Sequence, residues 1–187
     1  NIAAEGAGIS INSPHIVLMN NTIVKNGANG TTVGGIFINN SSNLRSYNDL
    51  VYYNYPDTNQ IFSKTTNHNM IFYNSCLPEN LNTSRYTVVN SQTEEPNFMD
   101  IAAGDFSLKN TSPCINRGYP DTSGMNLPAE DLNDNPRIHN RIVDIGAYEN
   151  QSVNTGPATL NDSLNFILEE DFGMQQFYLD TLFDDDA

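Results

Sequence analysis

Short runs of β-forming residues closed by asparagine recur along the first part of the chain. They are Asn21-Thr22-Ile23-Val24-Lys25-Asn26, Asp49-Leu50-Val51-Tyr52-Tyr53-Asn54 and Asn69-Met70-Ile71-Phe72-Tyr73-Asn74, whose starts lie 28 and then 20 residues apart. Ahead of the first two stand glycine-led stretches with period-two alternation, Gly8-Ile9-Ser10-Ile11 and Gly35-Ile36-Phe37-Ile38. Asn26-Gly27 and Asn29-Gly30 separate the copies, where Asn and Gly tolerate positive φ. Hairpins would instead show alternating strands joined by two-residue turns. Like residues recurring at this period predict stacked coils, each supplying the core for its neighbour. In that register Ile23 lies over Val51 over Ile71, each contributing roughly 1.5–3 kcal/mol when buried. Asn26, Asn54 and Asn74 form a second column of bonded amides, at about 0.5–1.5 kcal/mol per bond. Burial dominates, and the asparagines fix the register. Strict alternation would put Lys25 on the face of Ile23, so the chain must bend between them.

The coils, about residues 6–75, resemble the right-handed parallel β-helix of pectate-lyase-like proteins. After a loop at Cys76-Leu77-Pro78-Glu79 and a further run, Tyr86-Thr87-Val88-Val89-Asn90, a second set of motifs follows. In order these are Pro96-Asn97-Phe98-Met99-Asp100, Gly104-Asp105-Phe106-Ser107-Leu108, Ser112-Pro113-Cys114-Ile115-Asn116-Arg117-Gly118, Asp131-Leu132-Asn133-Asp134-Asn135-Pro136-Arg137 and Asp144-Ile145-Gly146-Ala147-Tyr148-Glu149. They resemble the closing module of bacterial secreted β-helix proteins of the choice-of-anchor type. Glu95, Asn116 and the Asp134-Asn135 pair depart from that pattern. The resemblance implies an all-β fold, a right-handed parallel β-helix solenoid ending in a cap, and export to the cell surface or beyond it. The boundaries expected are coils over 1–95, a capping module over 96–151, and a linker with an acidic tail over 152–187. An open coil end exposes unpaired strand groups. Upstream coils of a longer protein, or another chain, are therefore expected over the N-terminal end.

The tail changes the charge picture. The chain carries 8 Lys and Arg against 22 Asp and Glu, a net charge of −14, and eight of the acids lie in residues 158–187 with no base among them. Such a balance argues against a nucleic-acid backbone as partner. No stretch is long and apolar enough to read as a transmembrane helix. Leu160, Leu164, Ile167 and Leu168 have helical spacing behind Asn161-Asp162. Phe172, Phe177, Tyr178, Leu182 and Phe183 add an apolar, aromatic character that a purely solvating tail lacks. We expect Leu164, Ile167, Leu168, Phe172, Phe177, Leu182 and Phe183 to dock on a partner: a glycan surface, a cell-surface protein or secretion machinery. Asp162-Ser163-Leu164 and Asp180-Thr181-Leu182 resemble short O-glycosylation sites of exported Bacteroidetes proteins, a loose pattern.

Candidate chemistry is sparse. A lyase on such a scaffold needs a basic residue beside carboxylates that grip calcium, and Lys25, Arg45, Lys64 and Arg85 have no acidic cluster beside them in sequence. Residues 6–74 hold only Asp49 and Asp57 as acids, whereas glycoside hydrolysis needs two facing carboxylates. Asp131 to Asn135 could offer oxygens to calcium but lacks the glycine and distal Glu of an EF-hand loop, so a side-chain-bonded turn is the stronger reading. His15, His68 and His139 are dispersed. No catalytic residue, metal site or cofactor is assigned. Cys76 and Cys114, 38 residues apart, read as a buried thiol pair or one disulfide. Tyr53 and Tyr73, placed in one column with Lys25, and Tyr55 nearby, are candidates for stacking on sugar rings if they face outward, and core residues if they face inward. The function expected is a non-catalytic exported module contacting glycans or proteins. The alternative is the terminal part of a polysaccharide lyase or glycoside hydrolase with its active site upstream.

Overall fold

The computed structural model describes residues 1, 3–40, 43–64, 69–79, 81, 84–139, 142–152, 158–159 and 183–184. The chain divides into two compact units, Asn1–Gln151 and Ser152–Ala187. In the first unit the strands are β1 (Ile9–Ile11), β2 (His15–Met19), β3 (Thr22–Val24), β4 (Ile36–Ile38), β5 (Asn43–Tyr47), β6 (Leu50–Tyr52), β7 (Ile61–Ser63), β8 (Met70–Tyr73), β9 (Thr87–Val89), β10 (Phe98–Asp100) and β11 (Asp105–Leu108). A 3-10 turn spans Asp57–Asn59. Three sheets are parallel, in the orders β1-β4-β7, β2-β5-β8-β9 and β3-β6, while β10-β11 is an antiparallel ribbon. The second unit holds one antiparallel pair, β12 (Ala158–Thr159) with β13 (Phe183–Asp184).

These sheets overturn the expected fold class. The strands do not form one right-handed parallel β-helix solenoid with a helical tail; they fall into short, separate sheets of mixed sense, and no α-helix occurs among the described residues. The repeat is too irregular to propagate. Bonded neighbours are 28 residues apart from Asn21 to Asp49, 26 from Asp49 to Ser75, and only 16 from Ser75 to Ser91. A copy that short cannot supply every strand of its predecessor, and the β1-β4-β7 sheet stops at β7; the β3-β6 sheet already ends at β6. Beyond β6 only the single-residue parallel bridges Leu50↔Cys76 and Cys76↔Gln92 continue. Past residue 95 the chain turns back on itself as β10-β11. The helical spacing of Leu160 to Leu168 lies outside the described residues.

What the repeated pattern does produce is local parallel register. Ile23 stands beside Val51, and Ile9, Ile36 and Ile61 form a row. Ile71 does not join Ile23 and Val51: it pairs with Arg45, because Met70–Tyr73 lies beside β5 rather than β6. Leu44, Val51, Met70, Phe72, Ile36 and Ile38 are wholly buried in one cluster. Leu50, Cys76, Phe98, Leu108, Cys114 and Ile145 form a second one, which joins the repeats to the chain beyond residue 96. The bend required at Lys25 is present: Lys25 and its counterpart Tyr53 both have φ of 53°.

Polar side chains stack inside as well. Asp49 Oδ1 accepts from both the backbone N–H and the side-chain amide of Asn21, at 2.8 and 2.7 Å. Asn54 Oδ1 does the same for Asn26, at 3.1 and 3.0 Å. Asn74 is not the third member of that column; its amide donates to the carbonyls of Arg117 and Gly118.

Candidate functional site

The parallel register sets up a column that the strand pattern alone does not show. Thr22, Leu50, Cys76 and Gln92 are successive partners. Three residues beyond each stand Lys25, Tyr53, Glu79 and Glu95. Positive φ at Lys25 and Tyr53 turns the chain at this level. Tyr52, Tyr53, Asp57, Gln60, the buried Pro78, Glu79 and Glu95 line an open cleft of about 330 Å³.

The two tyrosines meet edge to face, with ring centroids 4.9 Å apart at 70°. Tyr53 also leans on Phe98, at 6.3 Å and 53°. The Tyr52 hydroxyl donates to the Thr93 carbonyl at 3.1 Å. Burial, then the charge of Glu95 and a hydrogen bond to it, push the Tyr53 phenol up to about 12. Burial first, then Cys76 and the Glu95 and Glu79 carboxylates, also raise Tyr52. Both phenols are therefore neutral hydroxyls near neutral pH. Three carboxylates and two amphipathic rings around one opening can take hydroxyl donors and the apolar face of a sugar, or a cation over a ring.

Of the three tyrosines expected to contact sugar, only Tyr53 belongs to this cleft, where it is joined by Asp57, one of the two acids of residues 6–74. Tyr55 is half exposed, and its hydroxyl donates to Asn29 Oδ1 at 3.2 Å. Tyr73 lies in a separate cluster, stacked on Tyr47 at 5.0 Å and 9°, with Tyr119 edge-on to both rings. Its placement beside Tyr53 fails for the same reason as that of Ile71: Tyr73 is the register partner of Tyr47. Glu79 reads from the sequence only as part of a loop and Glu95 only as a departure from a closing motif; neither is a site candidate there, since neither closes a recognisable run. The signal was the bridge position of Cys76, three residues before Glu79. Among the docking residues of the tail, Phe183 falls in β13, and Leu164, Ile167, Leu168, Phe172, Phe177 and Leu182 lie outside the described residues, as does His68.

A second polar cluster sits under the closing motifs. The Asp131 carboxylate accepts the N–H groups of Asn133 and Asn135 at 2.8 and 2.9 Å, and that of Glu149 at 2.7 Å. Burial opposes ionisation there, but the N–H groups of Glu149, Asn135 and Asn133 outweigh it and hold Asp131 below its usual range. This is a turn fixed by a side chain. The carboxylate oxygens that calcium would need already face backbone donors. No group of three His, Cys, Asp or Glu side chains able to hold a metal occurs among the described residues. Arg137 and Glu149 form an ion pair at 3.3 Å with both side chains buried. Among the described residues no helix is long and apolar enough to cross a membrane. No protein-family model, curated protein or solved structure matches this chain.

Proposed function

We propose that this protein is a non-catalytic, exported module of the cell surface or extracellular space that contacts glycans through the Tyr52–Tyr53 cleft. The observation that carries this reading is two neutral tyrosines beside Glu79 and Glu95 at one opening of about 330 Å³. The order of closing motifs between Pro96 and Glu149, with its likeness to secreted choice-of-anchor proteins, supports export. The acidic, apolar segment 158–187 serves in this reading as a docking or anchoring peptide.

Affinity electrophoresis against neutral and uronate-containing polysaccharides tests the cleft. Retardation is expected for the full chain, and Tyr53→Ala weakens binding about tenfold, the loss of one ring contact worth roughly 1.4 kcal/mol. A chain ending at residue 151 should bind the same glycans and lose retention on the cell surface. Absence of binding to any glycan, or binding indifferent to Tyr53, overturns the cleft reading. The three carboxylates of the same cleft favour one second reading, glycoside hydrolysis by a facing pair. Release of sugar product that Glu95→Gln abolishes would establish it, and no product on any substrate rejects it.

A further inference from the structure

We propose that Cys76 and Cys114 are oxidised to a disulfide that ties the repeat region to the closing motifs. Their placement comes from two independent parts of the chain. Cys76 is held against the β6 segment, its N–H donating to Asp49 O and its carbonyl accepting from Val51 N, each at 2.9 Å; on the other side Gln92 N donates to Ser75 O at 2.9 Å and Leu77 N to Gln92 O at 3.0 Å. Cys114 follows Ser112-Pro113, with its N–H on Ser112 Oγ at 3.2 Å and its carbonyl accepting from Ile145 N at 3.0 Å. Gln92, the register partner of Cys76, sends its side-chain amide to Cys114 Sγ at 3.0 Å. The Cys114 sulfur therefore rests against the residue beside Cys76. Both side chains are fully buried in one cluster with Leu50, Phe98, Leu108 and Ile145.

Cys76 Sγ donates to the Glu94 carbonyl at 3.4 Å, and the neighbouring Cys114 thiol, then burial, raises the Cys76 thiol far above its ordinary range. In the closed molecule both sulfurs are buried, and the form that reacts is an exposed thiolate. The bond must then form while residues 96–149 are still closing over the repeats. The thiolate of one cysteine attacks a small-molecule disulfide, such as oxidised glutathione, giving a mixed disulfide and one released thiol. The second cysteine, as thiolate, displaces the other half as a thiol. Two S–H bonds are lost and one S–S bond forms; two electrons pass to the oxidant, which leaves as two reduced thiols. Export into an oxidising compartment would supply such an oxidant, but the pairing does not depend on the glycan reading.

The test refolds the full, reduced chain in mixed reduced and oxidised glutathione, then traps free thiols with iodoacetamide under denaturing conditions. The expected result is a chain lighter than the reduced one by two hydrogens, with no alkylated cysteine. Its non-reduced digest should contain one linked peptide pair carrying Cys76 and Cys114. Oxidant should also raise the unfolding midpoint of the wild type and leave that of Cys76→Ser/Cys114→Ser unmoved. Complete alkylation of both cysteines after refolding, linkage only between separate chains, or an equal midpoint shift in both proteins overturns the proposal. Should the double variant fail to fold, the peptide map of the wild type decides alone.

Discussion

Asp49 shows how one atom exchanged within a repeat changes the physics of an interior position. Its counterpart one copy earlier is Asn21, whose N–H and amide both donate to Asp49 Oδ1. Ser46 Oγ donates to the other oxygen at 2.5 Å. Burial outweighs these bonds and pushes the carboxyl up to about 6, from 3.8 when solvated. The folded state therefore keeps a proton that the unfolded chain has released. The favourable contribution of the neutral acid is complete below about pH 4 and is lost as pH rises through 6. Beyond that the ionised group costs about 3 kcal/mol. Asp49→Asn keeps the acceptor toward Asn21, and the Ser46 hydroxyl can rotate to accept from the new amide. Urea unfolding at pH 4, 5, 6 and 7 should show a shallower decline for the variant and a gain of about 1–3 kcal/mol at pH 7. An unchanged slope would mean that Asp49 is not the group titrating.

At the scale of the element, the degeneracy of the asparagine signal decided what could be read in advance. β2, β5, β8 and β9 are each followed by an asparagine in the left-handed region: Asn20, Asn48, Asn74 and Asn90, with φ between 45° and 57°. The run ending at Asn26 and its partner ending at Asn54 close on asparagine too. Each repeat thus offers two matches to the same pattern, and Met70–Tyr73 fits either. Pairing with β5 wins because it buries Met70 and Phe72 beside Leu44 and Ser46 and stacks Tyr73 on Tyr47. The β-strand runs, the corner at Lys25 and the Ile23–Val51 register were legible in the sequence. The cleft was not, because Glu79 and Glu95 enter it only through the single-residue bridges at Cys76 and Gln92. The sheets meet closely at the corners. A Cβ added to Gly34 would lie 2.2 Å from the Tyr55 carbonyl oxygen and 2.8 Å from the Tyr55 backbone N and C. Gly34→Ala must push the turn after β6 away from β4, at a cost of about 1–3 kcal/mol in urea unfolding. A loss under about 0.5 kcal/mol would show that the corner yields freely.

At the scale of the whole first unit, residues 131–139 and 142–150 hold the repeats and the closing motifs together through one buried charge network. Gly146 N donates to Asn48 O at 2.8 Å and Ala147 N to Thr22 Oγ1 at 2.9 Å, so this segment is bonded to the first two repeats. Arg137 sits behind it, with Nη2 on the Gly146 carbonyl at 2.8 Å and on Glu149 Oε1 at 3.3 Å. Glu149 Oε1 also accepts from Asp144 N at 2.9 Å, and the Asp144 carboxylate accepts from the N–H groups of Asn116 and Asn150, both at 2.7 Å. Burial, reinforced by the Asp144 charge, pushes Glu149 up to about 8, and the guanidinium only partly offsets this, so the carboxyl is ionised only above that pH. Removing one partner of a buried pair costs far more than the pair contributes, because a charge is left alone in low dielectric. Arg137→Met is therefore expected to cost about 3–5 kcal/mol at pH 9, where Glu149 is ionised. Glu149 takes up its proton as pH falls through about 8, so the same variant should lose less at pH 6 than at pH 9. Arg137→Met/Glu149→Gln removes the orphaned charge and should recover part of the loss at pH 9 and little at pH 6. If the single variant's penalty is independent of pH, or the second substitution adds to it in full, Arg137 acts through its bond to the Gly146 carbonyl and its packing rather than through charge.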